Sequence, residues 1–163
     1  MNINLSQKEK LLLEDQKSHE EMCIQKYTNY AKQAQDPELK QLFNTYAQQE
    51  QQHLDTVNQI LSGQVPNMNQ QQGQQQQNQQ SQQNQKTNLQ TTGNTGMVNE
   101  SDAMLCQDML STEKYVSSTY DTTIFECVDT NIRNVLNHIQ KEEQQHGEGI
   151  FNYMQSKGMY NVK

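Results

Sequence analysis

The chain repeats itself at one fixed distance, and that repeat limits its possible folds more than any other feature. Residues 93 positions apart correspond: Glu20 with Glu113, Tyr27 with Tyr120, Glu50 with Glu143, and His53 with His146. Apolar positions keep the same register, with Leu39, Leu42 and Phe43 matching Ile132, Val135 and Leu136, and Val57 matching Ile150. The tetrapeptide Glu50-Gln51-Gln52-His53 returns as Glu143-Gln144-Gln145-His146, and in each copy another glutamate stands 30 residues upstream. An accident of Gln-rich composition would not preserve that spacing. Two copies of one unit therefore share the molecule.

The unit is helical. Apolar residues recur at intervals of three and four in both copies, and no strand-like alternation persists. The first helix is expected from about Ser6 to Gln35. Asp36 then serves as N-cap, with Pro37 opening a second helix that runs to about Leu61. In the second copy helices are expected over about Glu100–Thr130 and Asn131–Ser156, closed by Gly158. The fold class is all-α, a four-helix bundle made of two duplicated helical hairpins. Residues 1–62 form the first hairpin, 63–98 a crossover and 99–163 the second hairpin of the same bundle.

Composition explains the crossover. Hydrophobic residues make up only 31 % of the chain and its mean hydropathy is −1.09, too polar for a chain folded throughout. The deficit is local, because every residue from Asn69 to Gln85 is Gln, Asn, Gly or Ser. Such a tract suits a disordered linker, and it also suits self-association. If the second and third helices run parallel, the linker must travel the bundle's length, about 40 Å at the helical rise. A net charge of −7 offers no basic stripe for nucleic acid. No apolar run approaches the ~20 residues of a membrane span, and the start MNINLSQKEK lacks the blocks of a signal peptide. Cys23, Cys106 and Cys127 form no CxxC pair, consistent with synthesis in a reducing, intracellular setting.

Helical period also says which acidic residues point inward. Glu20 shares a face with Leu13, Cys23, Tyr27 and Ala31, whereas its neighbour Glu21 lies with Glu14, Lys17 and Ser18. Glu50, Glu113 and Glu143 likewise fall on apolar stripes. His53 and His146, each three residues after a glutamate, fall on those same faces. Four buried carboxylates without an inward Lys or Arg are costly, several kcal/mol per ion even after relaxation. Two divalent cations would cancel their formal charge. One Glu from each of two helices plus Glu-x-x-His from the other two is the ligand set of ferritin-like di-iron and di-manganese proteins. The candidate metal ligands are therefore Glu20, Glu50, His53, Glu113, Glu143 and His146, and the expected cofactors are two Fe or Mn ions. The bland alternative is a metal-free bundle whose carboxylates are protonated or hydrogen-bonded. Tyr27 and Tyr120 are either packed core residues or hydrogen-bond partners of the carboxylates. Cys23 reads as a buried, inert thiol, the methionines as core filler, and His19 and His138 as solvated. Gly147 and Gly149 fit either close helix packing or entry of a small molecule. No residue is assigned a catalytic role.

The stretches LSQKEKLLLEDQKSHEEMCIQKYTNYA, DPELKQLF and FNYMQSKGMYNV resemble the coat F family of endospore-forming bacteria. The resemblance covers both hairpins and omits the Gln-rich insert. It implies a ferritin-like fold, synthesis in the mother-cell cytoplasm, deposition in the spore coat, and other spore coat proteins as partners alongside self-association. Two functions are expected on these grounds. One is a structural coat component holding a dinuclear Fe/Mn carboxylate site. The other is a di-metal oxidoreductase acting on peroxide or dioxygen at the spore surface, like rubrerythrins and manganese catalases. The chain lacks the rubredoxin-like cysteine quartet that would supply a built-in electron donor.

Overall fold

The structure is a computed structural model and describes residues 3–66 and 98–160. Among the described residues four helices form: α1 Gln7–Gln33, α2 Pro37–Leu61, α3 Glu100–Glu126 and α4 Thr130–Ser156. Their start signals obey the repeat. The N-caps of α1 and α3 are Ser6 and Asn99, and those of α2 and α4 are Asp36 and Asp129, each pair 93 apart. Every cap side chain accepts a backbone N–H of the first turn, where helical partners are missing. Ser6 and Glu9 complete a reciprocal capping box.

Two helices end earlier than the sequence suggests, α1 at Gln33 rather than Gln35 and α3 at Glu126 rather than Thr130. Ala34 (ψ 141°) and Cys127 (ψ 125°) already have extended backbone. Each turn needs extended residues ahead of its aspartate N-cap, and in the first turn Pro37 also disfavours helix just before it.

Reciprocal contacts between the hairpins set the topology. The Asp102 carboxylate accepts the N–H groups of Gln35 and Asp36, both at 2.9 Å, and so seals the α1–α2 turn from α3. Its repeat equivalent, Glu9, accepts the Val128 N–H at 2.9 Å and seals the α3–α4 turn from α1. Helices α1 and α3 are thus antiparallel. Contacts of His53 with Glu142 and of Tyr153 with Asp36 make α2 and α4 antiparallel as well. It follows that α2 and α3 run parallel. The end of α2 lies beside the chain's start, where Ile3 N–H donates to Gly63 O, while Asn99 at the head of α3 donates to Gln35 at the opposite end. Gly63, at φ 82°, turns the chain out of α2. Most of the crossover expected over 63–98, namely residues 67–97, lies outside the described residues.

The core is divided. One apolar cluster, including Leu13, Val57, Val116, Ile132 and Leu136, fills the end that carries the chain's start. Another, including Leu39, Phe43, Met109, Ile150 and Met154, fills the end that carries the α1–α2 turn. Between them lies a buried layer that is not apolar. No described helix is long and apolar enough to cross a membrane.

Candidate metal centre

The middle layer holds Glu20, Glu50, His53, Glu113, Glu143 and His146, each at most 3 % exposed. Glu20 comes from α1, Glu50 and His53 from α2, Glu113 from α3, and Glu143 and His146 from α4. The structure brings all six together. Their ligand atoms fall into two overlapping groups, Glu20/Glu50/His53/Glu143 and Glu50/Glu113/Glu143/His146, each with its atoms within 4.8 Å of one another. Glu50 and Glu143 belong to both groups, so the layer has the form of two adjoining positions with two shared carboxylates.

Both imidazoles turn Nδ1 toward the carboxylates. His53 Nδ1 lies 3.1 Å from Glu50, 2.9 Å from Glu143 and 3.7 Å from Glu20. His146 Nδ1 lies 3.1 Å from Glu50, 3.6 Å from Glu113 and 3.8 Å from Glu143. The outer nitrogens are fixed by residues that the helical stripes did not single out. His53 Nε2 donates to the Glu142 carboxylate at 2.9 Å, and His146 Nε2 to the Gln49 amide oxygen at 3.0 Å. Gln49 and Glu142 are 93 apart and each directly precedes a cluster glutamate, which was the available signal. With Nε2 protonated, Nδ1 is the atom free to hold a cation.

The tyrosines prove to be both core and partners. Tyr27 of α1 donates to Glu113 of α3, and Tyr120 of α3 donates to Glu20 of α1, with both rings fully buried. Even so, Glu20 Oε2, Glu113 Oε2 and both Glu143 oxygens accept no hydrogen bond among the described residues. Glu143 Oε1 is close to His53 Nδ1 but lacks hydrogen-bonding alignment. Buried carboxylate oxygens without donors are costly, and a hard cation is what such oxygens accept.

Without a cation the layer neutralises itself with protons. Burial, then repulsion from Glu50, pushes the Glu20 carboxyl up to about 8. Burial and the surrounding Glu50, Glu20 and Glu113 raise Glu143 well above the carboxylate range. Glu50 is also fully buried, yet His146 and His53 hold it well below that range. Burial alone would lower both histidines. The carboxylates outweigh it, raising His146 to about 9 and His53 well above its usual value.

Several other expectations resolve here. Cys23 is buried and burial drives its thiol well up, so it is inert at neutral pH. His19 and His138 are half-buried rather than solvated: His19 contacts Thr119 and the Tyr115 ring, and His138 lies 3.5 Å from Glu142. His19 finds its partners on α3, which one helix's period cannot show, whereas the partner of His138 lies one turn along α4 itself. Met109 and Met154 are core, but Met104 is 70 % exposed. The two α4 glycines divide the readings left open. Gly149 receives the Tyr46 hydroxyl end, allowing the Tyr46 ring to stack on His146 at 4.3 Å. Gly147 lines a cleft of about 680 Å³ between α3 and α4, with Glu113 and Glu143 also in its lining and Phe151 and Tyr160 packed edge to face.

Fold and site together define a four-helix bundle with a buried, pseudo-symmetric Glu/His centre. Residues 101–163, which take in nearly all of α3 and α4, match the family model of the Coat F domain. That match supports the coat F family for the second hairpin. No curated protein and no solved structure matches the chain.

Proposed function

We propose that this chain is a spore coat protein whose ferritin-like bundle holds a dinuclear iron or manganese centre. The Coat F domain supports the coat assignment. The observation that carries the metal assignment is the pair of overlapping donor groups sharing Glu50 and Glu143. Glu20 and His53 would serve one position and Glu113 and His146 the other, with Glu50 and Glu143 common to both groups. Carboxylate oxygens with one imidazole per position suit Fe or Mn. Tyr27 and Tyr120 orient Glu113 and Glu20, while Glu142 and Gln49 hold the imidazoles with Nδ1 inward.

A second reading, an oxidoreductase acting on peroxide or dioxygen, is favoured by the α3–α4 cleft that carries Glu113 and Glu143 in its wall. Bound iron or manganese would supply redox capacity and Lewis acidity to an oxygen-donor substrate. Other coat proteins and further copies of the chain are the proposed partners.

Elemental analysis tests the centre. Protein loaded with Fe(II) or Mn(II) under reducing conditions should retain about two metals per chain, by the ligand count of this architecture. Glu143→Ala removes a carboxylate common to both groups and should retain markedly fewer. Loaded native protein that retains none returns the layer to the proton-neutralised, metal-free reading. Peroxide consumption by the same samples separates the enzyme from a metal-stabilised coat component.

A further inference from the structure

The repeat makes the two halves of the centre equivalent in sequence position but not in chemistry. At the outer nitrogen of the imidazole, His53 meets the carboxylate of Glu142, whereas His146 meets the neutral amide of Gln49. Against the imidazole face, His146 has the Tyr46 ring at 4.3 Å, and the residue matching Tyr46 in the other half is Ile139. Access differs too. The α3–α4 cleft includes Gly147, where the repeat places Leu54 in the first hairpin, and its wall includes Glu113 of the His146 half. Among the described residues a Cβ added at Gly147 would meet only Leu110, at 3.6 Å, an ordinary contact.

We infer that the centre has one retentive and one exchangeable metal position. The Glu20/His53 position binds first and tightest. The Glu113/His146 position binds second and takes a small exogenous oxygen- or nitrogen-donor ligand through the α3–α4 cleft. A carboxylate accepting the outer imidazole N–H makes Nδ1 a stronger donor, and removing such a partner typically costs 10–100-fold in metal affinity. An amide oxygen accepts the same hydrogen bond without adding charge. Glu142 is thus a positioning residue for the first metal, and the missing side chain at Gly147 is what admits the ligand to the second. The inference rests on the dinuclear reading above.

Stepwise cobalt(II) titration of the metal-free, full-length chain, followed by visible absorption, tests it. The native protein should show two steps separated by about tenfold or more. Glu142→Gln keeps the hydrogen bond and the shape but removes the charge, and should weaken the first step by about 10–100-fold. Gln49→Glu should tighten the second step and bring the two together. Azide added to the fully loaded protein should perturb only the spectrum of the second equivalent. Gly147→Leu, which restores the leucine of the first hairpin, should abolish the azide response while two cobalt ions remain bound. Gly147→Ala leaves room in the cleft and should keep the response. Two equal steps in the native protein, a Glu142→Gln effect confined to the second step, or an undiminished azide response in a loaded Gly147→Leu variant would each overturn the inference while leaving a dinuclear site in place. A native chain that binds no cobalt at all removes both.

Discussion

One methyl group distinguishes the two glycines of α4. A Cβ at position 149 would overlap the Tyr46 hydroxyl and lie 3.0 Å from its Cζ, and the Tyr46 ring is fixed between Tyr27 and His146. Gly149→Ala should therefore destabilise the protein by about 1–3 kcal/mol, as overpacking does. Adding Tyr46→Phe should recover part of the loss in a thermal melt, because it removes the atom nearest the new methyl. Gly147→Ala meets only ordinary contact and replaces a poor helix former, so it should stabilise by about 0.5–1 kcal/mol. Equal melting of the two alanine variants would contradict the packing around Tyr46. The six inward residues of the centre could be read from the sequence, since helical period gives their faces and the repeat gives their number. Glu142 and Gln49 could not be read that way. One residue before a cluster glutamate lies about a quarter turn away, by helix geometry. Only the approach of α2 to α4 decides that such a side chain reaches an imidazole. The Tyr46–Gly149 fit depends on the same approach.

Each hairpin is finished by the other. Asp102 is fully buried and accepts two N–H groups of the α1–α2 turn, while Glu9 accepts one at the exposed Val128 of the α3–α4 turn and one at the exposed Ser6 of its own capping box. Asp102→Ala should cost about 2–4 kcal/mol in denaturant unfolding, since two backbone donors lose their acceptor. Asp102→Asn should cost less because it keeps one acceptor oxygen. Glu9→Ala leaves its two donors, Ser6 and Val128, at exposed positions and should cost less than Asp102→Ala; an equal loss would contradict that difference in burial. The start of α2 was legible because Asp36 is a residue whose side chain bonds the first turn, with Pro37 behind it; Ser6, Asn99 and Asp129 cap the other three helices in the same way. The end of α3 was not legible. Nothing local to Cys127 stops a helix, and the stop is set by the extended backbone that the Asp129 cap and the Glu9 contact require.

Across the whole molecule, charge in the middle layer couples folding to pH. Glu20 titrates at about 8 when folded, against 4.5 ordinarily, so the folded chain holds a proton that the unfolded chain has released. Stability of the metal-free protein then falls as pH rises between those values. His146 acts in the same sense: its contribution is complete below 6.5 and lost as pH passes about 9. Glu50, held low, contributes above 4.5 and loses that contribution in acid. The metal-free melting temperature should thus decline from about pH 5–6 toward pH 9, as these opposed proton linkages dictate. Metal loading should displace about four protons, from Glu20, Glu143, His53 and His146, and flatten that decline. Melts across pH with and without chelator check this, and superimposable curves would count against bound metal. The reciprocal seals have one more consequence, which concerns dilution. The hairpins meet as two complementary partners, and the covalent link between them only sets how often they meet. Tethered partners experience an effective concentration in roughly the millimolar range. Cleaving the backbone at Lys86, which lies between the hairpins in sequence, would leave the micromolar concentration of the solution in its place. The melting temperature of the cut protein should then fall on dilution while that of the intact chain stays constant. Every position of the centre draws on both hairpins, so dilution alone should strip metal from the cut protein and leave the intact one loaded.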